Sequence, residues 1–144
     1  MPIVSWFCRG LAFALLLLGT VGCGPGEESL ATVRGKVTYK GAALSGGTIV
    51  FIPDANRGGD GPLAQGEIQG DGSYVLKTGD SEDVQAGWYK VTVAALERAT
   101  YPAPGQPFAV PRSLLPEKYR DPDLSGLTCE VKAGKKNGVN FNLD

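Results

Sequence analysis

Histidine is absent from the 144-residue chain. That removes the commonest general base, the Ser-His-Asp and Cys-His nucleophilic arrangements, and any zinc site that needs imidazole. What remains for chemistry is three cysteines, two groups of loop carboxylates and a few aromatic side chains. Cys8 and Cys23 lie near the start of the chain, far in sequence from Cys129. No imidazole is present to take a proton from Cys129. Its neighbours Leu127 and Val131 alternate with Thr128, Glu130 and Lys132. That period of two predicts a strand with Cys129 on its inward face, as a buried and unreactive thiol.

The carboxylates fall in two stretches, Asp54 with Asp60, and Asp80 with Glu82 and Asp83. Loop oxygens of this kind suit calcium. Asp54-Ala55-Asn56 opens like a calcium loop, but its twelfth position is Gln65 rather than a bidentate Glu. The expectation is therefore solvated loop ends, with no metal and no cofactor. The aromatic residues are the remaining candidates for ligand or partner contact: Trp88, Tyr101, Phe108 and Tyr119. Trp88 falls on the polar face of its strand. The other three lie in a proline-rich stretch. Exposed rings could stack a sugar or anchor a peptide. The simpler expectation is that the proline-rich stretch folds over Trp88, because large aromatic residues usually find cover.

The elements that position these residues read as strands. In 32–39, Val33, Val37 and Tyr39 share one face, with Thr32, Arg34, Lys36 and Thr38 on the other. Thr48 to Ile52 is a β-branched run stopped by Pro53. Ala64, Gly66 and Ile68 alternate into the turn residues Gly70, Asp71 and Gly72, and Tyr74 and Leu76 lead out. Gly87 to Ala95 is the longest strand, and two more follow over 127–132 and 139–143. The segments 40–47, 78–86 and 133–138 read as turns or loops. Seven strands at regular spacing, each with one polar face, predict an all-β sandwich. The exception is 96–126, which holds six of the ten prolines. Within it, Ser113 to Tyr119 is expected to form one helical turn with Pro116 early in it. Leu114, Leu115 and Tyr119 would then cap an end or edge of the sandwich. Edge cover and binding loop are both open readings of this segment.

The N-terminus has its own pattern. Arg9 precedes the apolar run Leu11 to Leu18, and small residues follow. This is the layout of an export signal, too short for a membrane span. Val21-Gly22-Cys23 resembles the end of a bacterial lipoprotein signal, with Thr20 standing where that pattern more often has Leu. The resemblance implies a leader over 1–22, lipidation of Cys23, a flexible tether over 23–30 and a domain over 31–144. Loss of Arg9 with the leader would take the formal charge from −1 to −2. That balance offers no basic footprint for nucleic acid. With Cys8 removed and Cys23 acylated, Cys129 has no disulfide partner.

Val33-Arg34-Gly35-Lys36-Val37, Gly47-Thr48-Ile49-Val50-Phe51, Asp71-Gly72-Ser73-Tyr74 and Gly87-Trp88-Tyr89-Lys90-Val91, in this order, resemble a bacterial transthyretin-like, or carboxypeptidase regulatory-like, domain. Pro116-Glu117-Lys118-Tyr119 and Ser125-Gly126-Leu127-Thr128 resemble a group of small lipoproteins that carry it. The resemblance implies a seven-stranded, Greek-key, prealbumin-like sandwich. It implies little about activity; together with the Cys23 signal and the missing histidines, the expectation is a non-enzymatic cell-envelope lipoprotein, exported, held to a membrane through its lipid and serving binding, adhesion or assembly. The implied partner is an envelope protein or a polysaccharide. A carbohydrate-binding module using exposed aromatic residues is the alternative. The related hydrolases depend on histidines that this chain lacks.

Overall fold

The computed structural model describes residues 29–98 and 101–144. The expected leader, Cys23 and most of the expected tether lie outside the described residues. Within them the chain is all-β, with ten short strands in two sheets and two 3-10 turns. No described helix is long and apolar enough to cross a membrane.

The first sheet is built around β1 (Leu30–Tyr39), which is paired along both edges. Three short strands run antiparallel to it: β2 (Ala42–Ala43), β5 (Ser73–Val75) and β6 (Asp83–Gln85). On the opposite edge β9 (Lys136–Gly138) and β10 (Phe141–Leu143) run parallel to it. The second sheet is antiparallel in the order β4 (Ala64–Ile68), β3 (Gly47–Pro53), β7 (Gly87–Ala94), β8 (Thr128–Val131). The result is a β-sandwich-like pair of layers.

The strand count exceeds the seven expected because β2, β6 and β9 occupy segments that read as turns. Each is only two or three residues long, too short to show a period. They become strands because β1 is long enough to offer each a stretch of backbone. Val84 in β6 is completely buried, which anchors that segment from within. The stretch 64–76 also differs from a simple hairpin. Its two arms belong to different sheets, β4 pairing with β3 and β5 with β1. Backbone bonds between Gln65 and Lys77 close its base, and Gln69 N–H donates to Ser73 at its tip. The turn is therefore a corner that carries the chain between layers. Gly72 has φ +81° there, and the Asp71 carboxylate accepts from Ser73 N–H at 3.0 Å.

The period of two sets the core. Val33 and Val37, Ile49 and Phe51, and Tyr89, Val91 and Val93 are all buried between the layers. Phe51 is the hub: its ring lies 5.8 Å from Tyr89, 6.0 Å from Phe141 and 6.5 Å from Tyr74. Such pairs add about 0.5–1.5 kcal/mol each beyond area burial. Two tyrosines then stitch distant segments. Tyr89 Oη donates to the Gln85 carbonyl at 2.7 Å, and Tyr74 Oη to the Val139 carbonyl at 2.7 Å. The second bond passes over Gly35. A Cβ on Gly35 would fall 1.7 Å from the Val139 oxygen, so no side chain fits.

Gly35→Ala should therefore cost more than Tyr74→Phe. The first must displace backbone, with an expected loss of about 3 kcal/mol or more. The second leaves the Val139 carbonyl without its donor, at about 1–3 kcal/mol. Urea unfolding midpoints of the two variants measure the order.

Candidate functional site

The four aromatic candidates do not converge. Trp88 is half-buried on the outer face of β7. The Arg57 guanidinium lies over its ring, 4.7 Å from the centroid. The sequence reading had looked to the proline-rich segment for that cover. Arg57 is positioned by a 3-10 turn, Ala55–Arg57, capped by Asp54, whose carboxylate accepts from Asn56 N–H at 3.2 Å. The same carboxylate lies 3.6 Å from Arg57 Nε. The side chain that opened a calcium-like motif thus serves a turn. Asp60 accepts from Gln85 Nε2 at 3.1 Å. Among the described residues no group of three potential ligands gathers around one point.

Tyr119 is corrected more sharply. It is 2% exposed, so its ring is core and not contact surface. It sits in the 3-10 turn Glu117–Arg120 that follows Pro116. Its hydroxyl donates to the Asp144 carboxylate at 2.9 Å and accepts from Asp144 N–H at 3.1 Å. Leu115 is buried beside it, whereas Leu114 is 41% exposed. This half of the proline-rich segment covers the edge of β7 beyond the end of β8. Leu114 N–H donates to the Ala95 carbonyl, and Ser125 Oγ donates to the Val91 carbonyl at 2.7 Å. Lys90 Nζ holds Asp123 at 2.6 Å, and that bond raises the lysine's pKa. An exposed strand edge invites pairing with other chains, and these bonds occupy it.

The other half does the opposite. Leu96 and Ser113 form a bridge and Glu97 N–H donates to the Arg112 carbonyl; the described residues between them, 98 and 101–111, are exposed except for the half-buried Pro102. Tyr101 is 95% exposed, Phe108 82% and Val110 86%. Its base adjoins Ala95 and the buried Leu115, at the end where Tyr39 pairs with Leu143 and Tyr119 meets Asp144. The chain enters at the other end. Ser29 and Leu30 carbonyls accept there from Ala86 and Gly134 N–H. About 30 Å of β1 separates the two ends, at roughly 3.3 Å per residue.

A second surface was not singled out by the sequence. A groove of about 1430 Å³ runs along the β4–β5 corner. Arg34, Lys36 and Lys77 line it, together with the amides of Gln65, Gln69 and Asn140. Arg34, Lys36 and Gln65 are isolated polar positions of strands, and Lys77, Gln69 and Asn140 lie just outside strands; at either kind of position a polar side chain ordinarily only faces water.

Cys129 is half-buried rather than enclosed, packed against the core from β8. Burial, with Glu130 adding to it, pushes its pKa up to about 11. The raised value favours the neutral thiol in the folded state. Stability should thus be undiminished below pH 9, where the unfolded thiol is also neutral, and fall as pH rises from 9 towards 11. At pH 8 the folded thiol should react with a disulfide reagent about 100-fold more slowly than in urea, following its thiolate fraction. Reaction kinetics with and without urea check both the burial and the inertness. Comparison with protein-family models, with curated proteins and with solved structures found no match.

Proposed function

We propose that this chain is a non-enzymatic, membrane-anchored binding module, tethered through lipid on Cys23, that offers its proline-rich loop to a partner in the cell envelope. One observation carries the reading: the chain enters the sandwich at one end, and the exposed loop bearing Tyr101, Phe108 and Val110 springs from the other. A tether over 23–30 reaches at most about 25 Å when extended. It keeps the domain close to the membrane, with the loop at the end away from the point of attachment. Side chains as apolar as Phe108 and Val110 lose free energy in water, and burial against a partner recovers it. The missing histidines and the use of Asp54 as a turn cap support a binding role over catalysis. The two-layer architecture also agrees with a transthyretin-like, Greek-key domain, the family the motifs resemble.

Carbohydrate recognition is the second reading. Tyr101 and Phe108 are available for stacking on the loop, whereas Trp88 already carries Arg57 on its ring.

Two variants of the full-length protein test the proposal separately. Cys23→Ala should move the protein from the membrane fraction to the soluble fraction; continued membrane association refutes the lipid tether. Tyr101→Ser with Phe108→Ser should leave both fractionation and melting temperature unchanged while removing partners recovered by crosslinking in native envelopes. An unchanged crosslinking pattern removes the loop from the proposal. Addition of a glycan panel to the same pair of proteins distinguishes a sugar partner from a protein one.

A further inference from the structure

We infer that the groove at the β4–β5 corner binds an anionic polysaccharide, at a surface distinct from the loop's aromatic residues and independent of how the chain is anchored. The groove has the scale of a polymer site: its volume of about 1430 Å³ exceeds the roughly 300–1,000 Å³ of small-ligand pockets. It is partly open to solvent, so a ligand can enter from outside.

Its chemistry is set by register. Arg34 faces Val75 and Lys36 faces Ser73 across the β1–β5 pair. Lys77, two residues beyond Val75, has left the pairing with β1 and bridges Gln65 of β4, and it lines the same groove. Three cations thus border one groove in a protein whose net formal charge is negative. Their existing partners are weak. Arg34 lies 3.8 Å from Glu82 and Lys36 lies 3.8 Å from Asp71, with all four side chains more than half exposed. Asp71 is already satisfied by Ser73, whose hydrogen bonds hold its pKa down. Among the described residues Lys77 has no carboxylate within ion-pair distance. A carboxylate or sulfate on a ligand can take up these charges without breaking a buried pair.

The amides argue for a sugar bearing that anion. Gln65 presents a donor and an acceptor side by side, which suits adjacent hydroxyls, while Asn140, whose oxygen accepts from Lys36 N–H, adds its amide nitrogen, and Gln69, whose nitrogen donates to the Glu67 carbonyl, adds its amide oxygen. Thr48 adds a hydroxyl on the β3 side. Gly66 lets β4 lie close against β5 beneath the groove: a Cβ there would fall 2.6 Å from the Val75 oxygen. Ala94 and Leu96 supply a small apolar strip at the rim. Glu67 and Glu82 also line the groove, so a neutral or cationic chain gains less than an anionic one only if the three cations act together.

Titration calorimetry of the full-length protein in detergent, with alginate, dextran and poly-glutamate as probes, tests the assignment. Alginate should bind, with an affinity that falls as salt rises. Dextran and poly-glutamate should bind at least 10-fold more weakly, because each lacks one half of the recognition. Arg34→Ala and Lys77→Ala should each weaken alginate about 10-fold at unchanged melting temperature. Lys135→Ala with Lys136→Ala, on an exposed turn outside the groove, should have no effect. The inference is overturned by absent alginate binding, by dextran or poly-glutamate binding equally well, or by an equal loss in the Lys135 and Lys136 variant. None of these outcomes depends on Cys23 or on the loop aromatic residues, so the anchoring proposal stands or falls separately.

Discussion

The fold hangs on the crossing of Tyr74 over Gly35. Tyr74 leaves β5, passes across the central strand at its one side-chain-free position and donates to the Val139 carbonyl on the far edge. That single bond ties the antiparallel edge of the first sheet to its parallel edge. It also fixes the turn into β10, since Asn140 next to it accepts from Lys36 N–H at 2.8 Å. Burial around the tyrosine raises its pKa far above the ordinary phenol value, keeping the donor protonated. A hydroxyl donor placed in a largely apolar surrounding is worth having only when its acceptor is in place. The register of β5, β1 and β10 is therefore decided together.

From that crossing the two proposed surfaces follow. Because Tyr74 points inward, its neighbours Ser73 and Val75 point outward, opposite Lys36 and Arg34. The groove is the outer side of the same pairing that builds the core. The exposed loop depends on the other sheet. β7 is longer than β8, so its last residues would present a bare edge. The chain covers that edge with Leu114, Leu115, Tyr119 and Ser125, and the loop is what remains between the cover and the end of β7. One connection thus contains a buried half that protects an edge and a half that faces water.

Legibility tracked physical scale. β1, β3 and β7 were readable because seven to ten residues show a clear period, and the period names the buried face. β2, β6 and β9 were not, since two or three residues carry no period and their state is set by the strand beside them. The corner at 70–72 was readable as a turn from glycine and aspartate chemistry. That its arms join different sheets was not, because either pairing satisfies the same local rules. Tyr119 was open to two readings, a contact residue or a cap on the sandwich, and the turn after Pro116 aims it at the core as a cap. Trp88 sat on a polar face, as expected, and found its cover in an arginine from a different loop.

The sequence by itself determined the all-β class, the inward and outward faces of the long strands, and the lack of histidine chemistry. Each of these is local: it depends on residue type or on period. Only the tertiary structure decided which edges pair, where the loop stands relative to the entry of the chain, and that Arg34, Lys36 and Lys77 border one groove. Those are relations between residues far apart in the chain. They arise when the long strand β1 and the crossing over Gly35 force otherwise independent segments into one register.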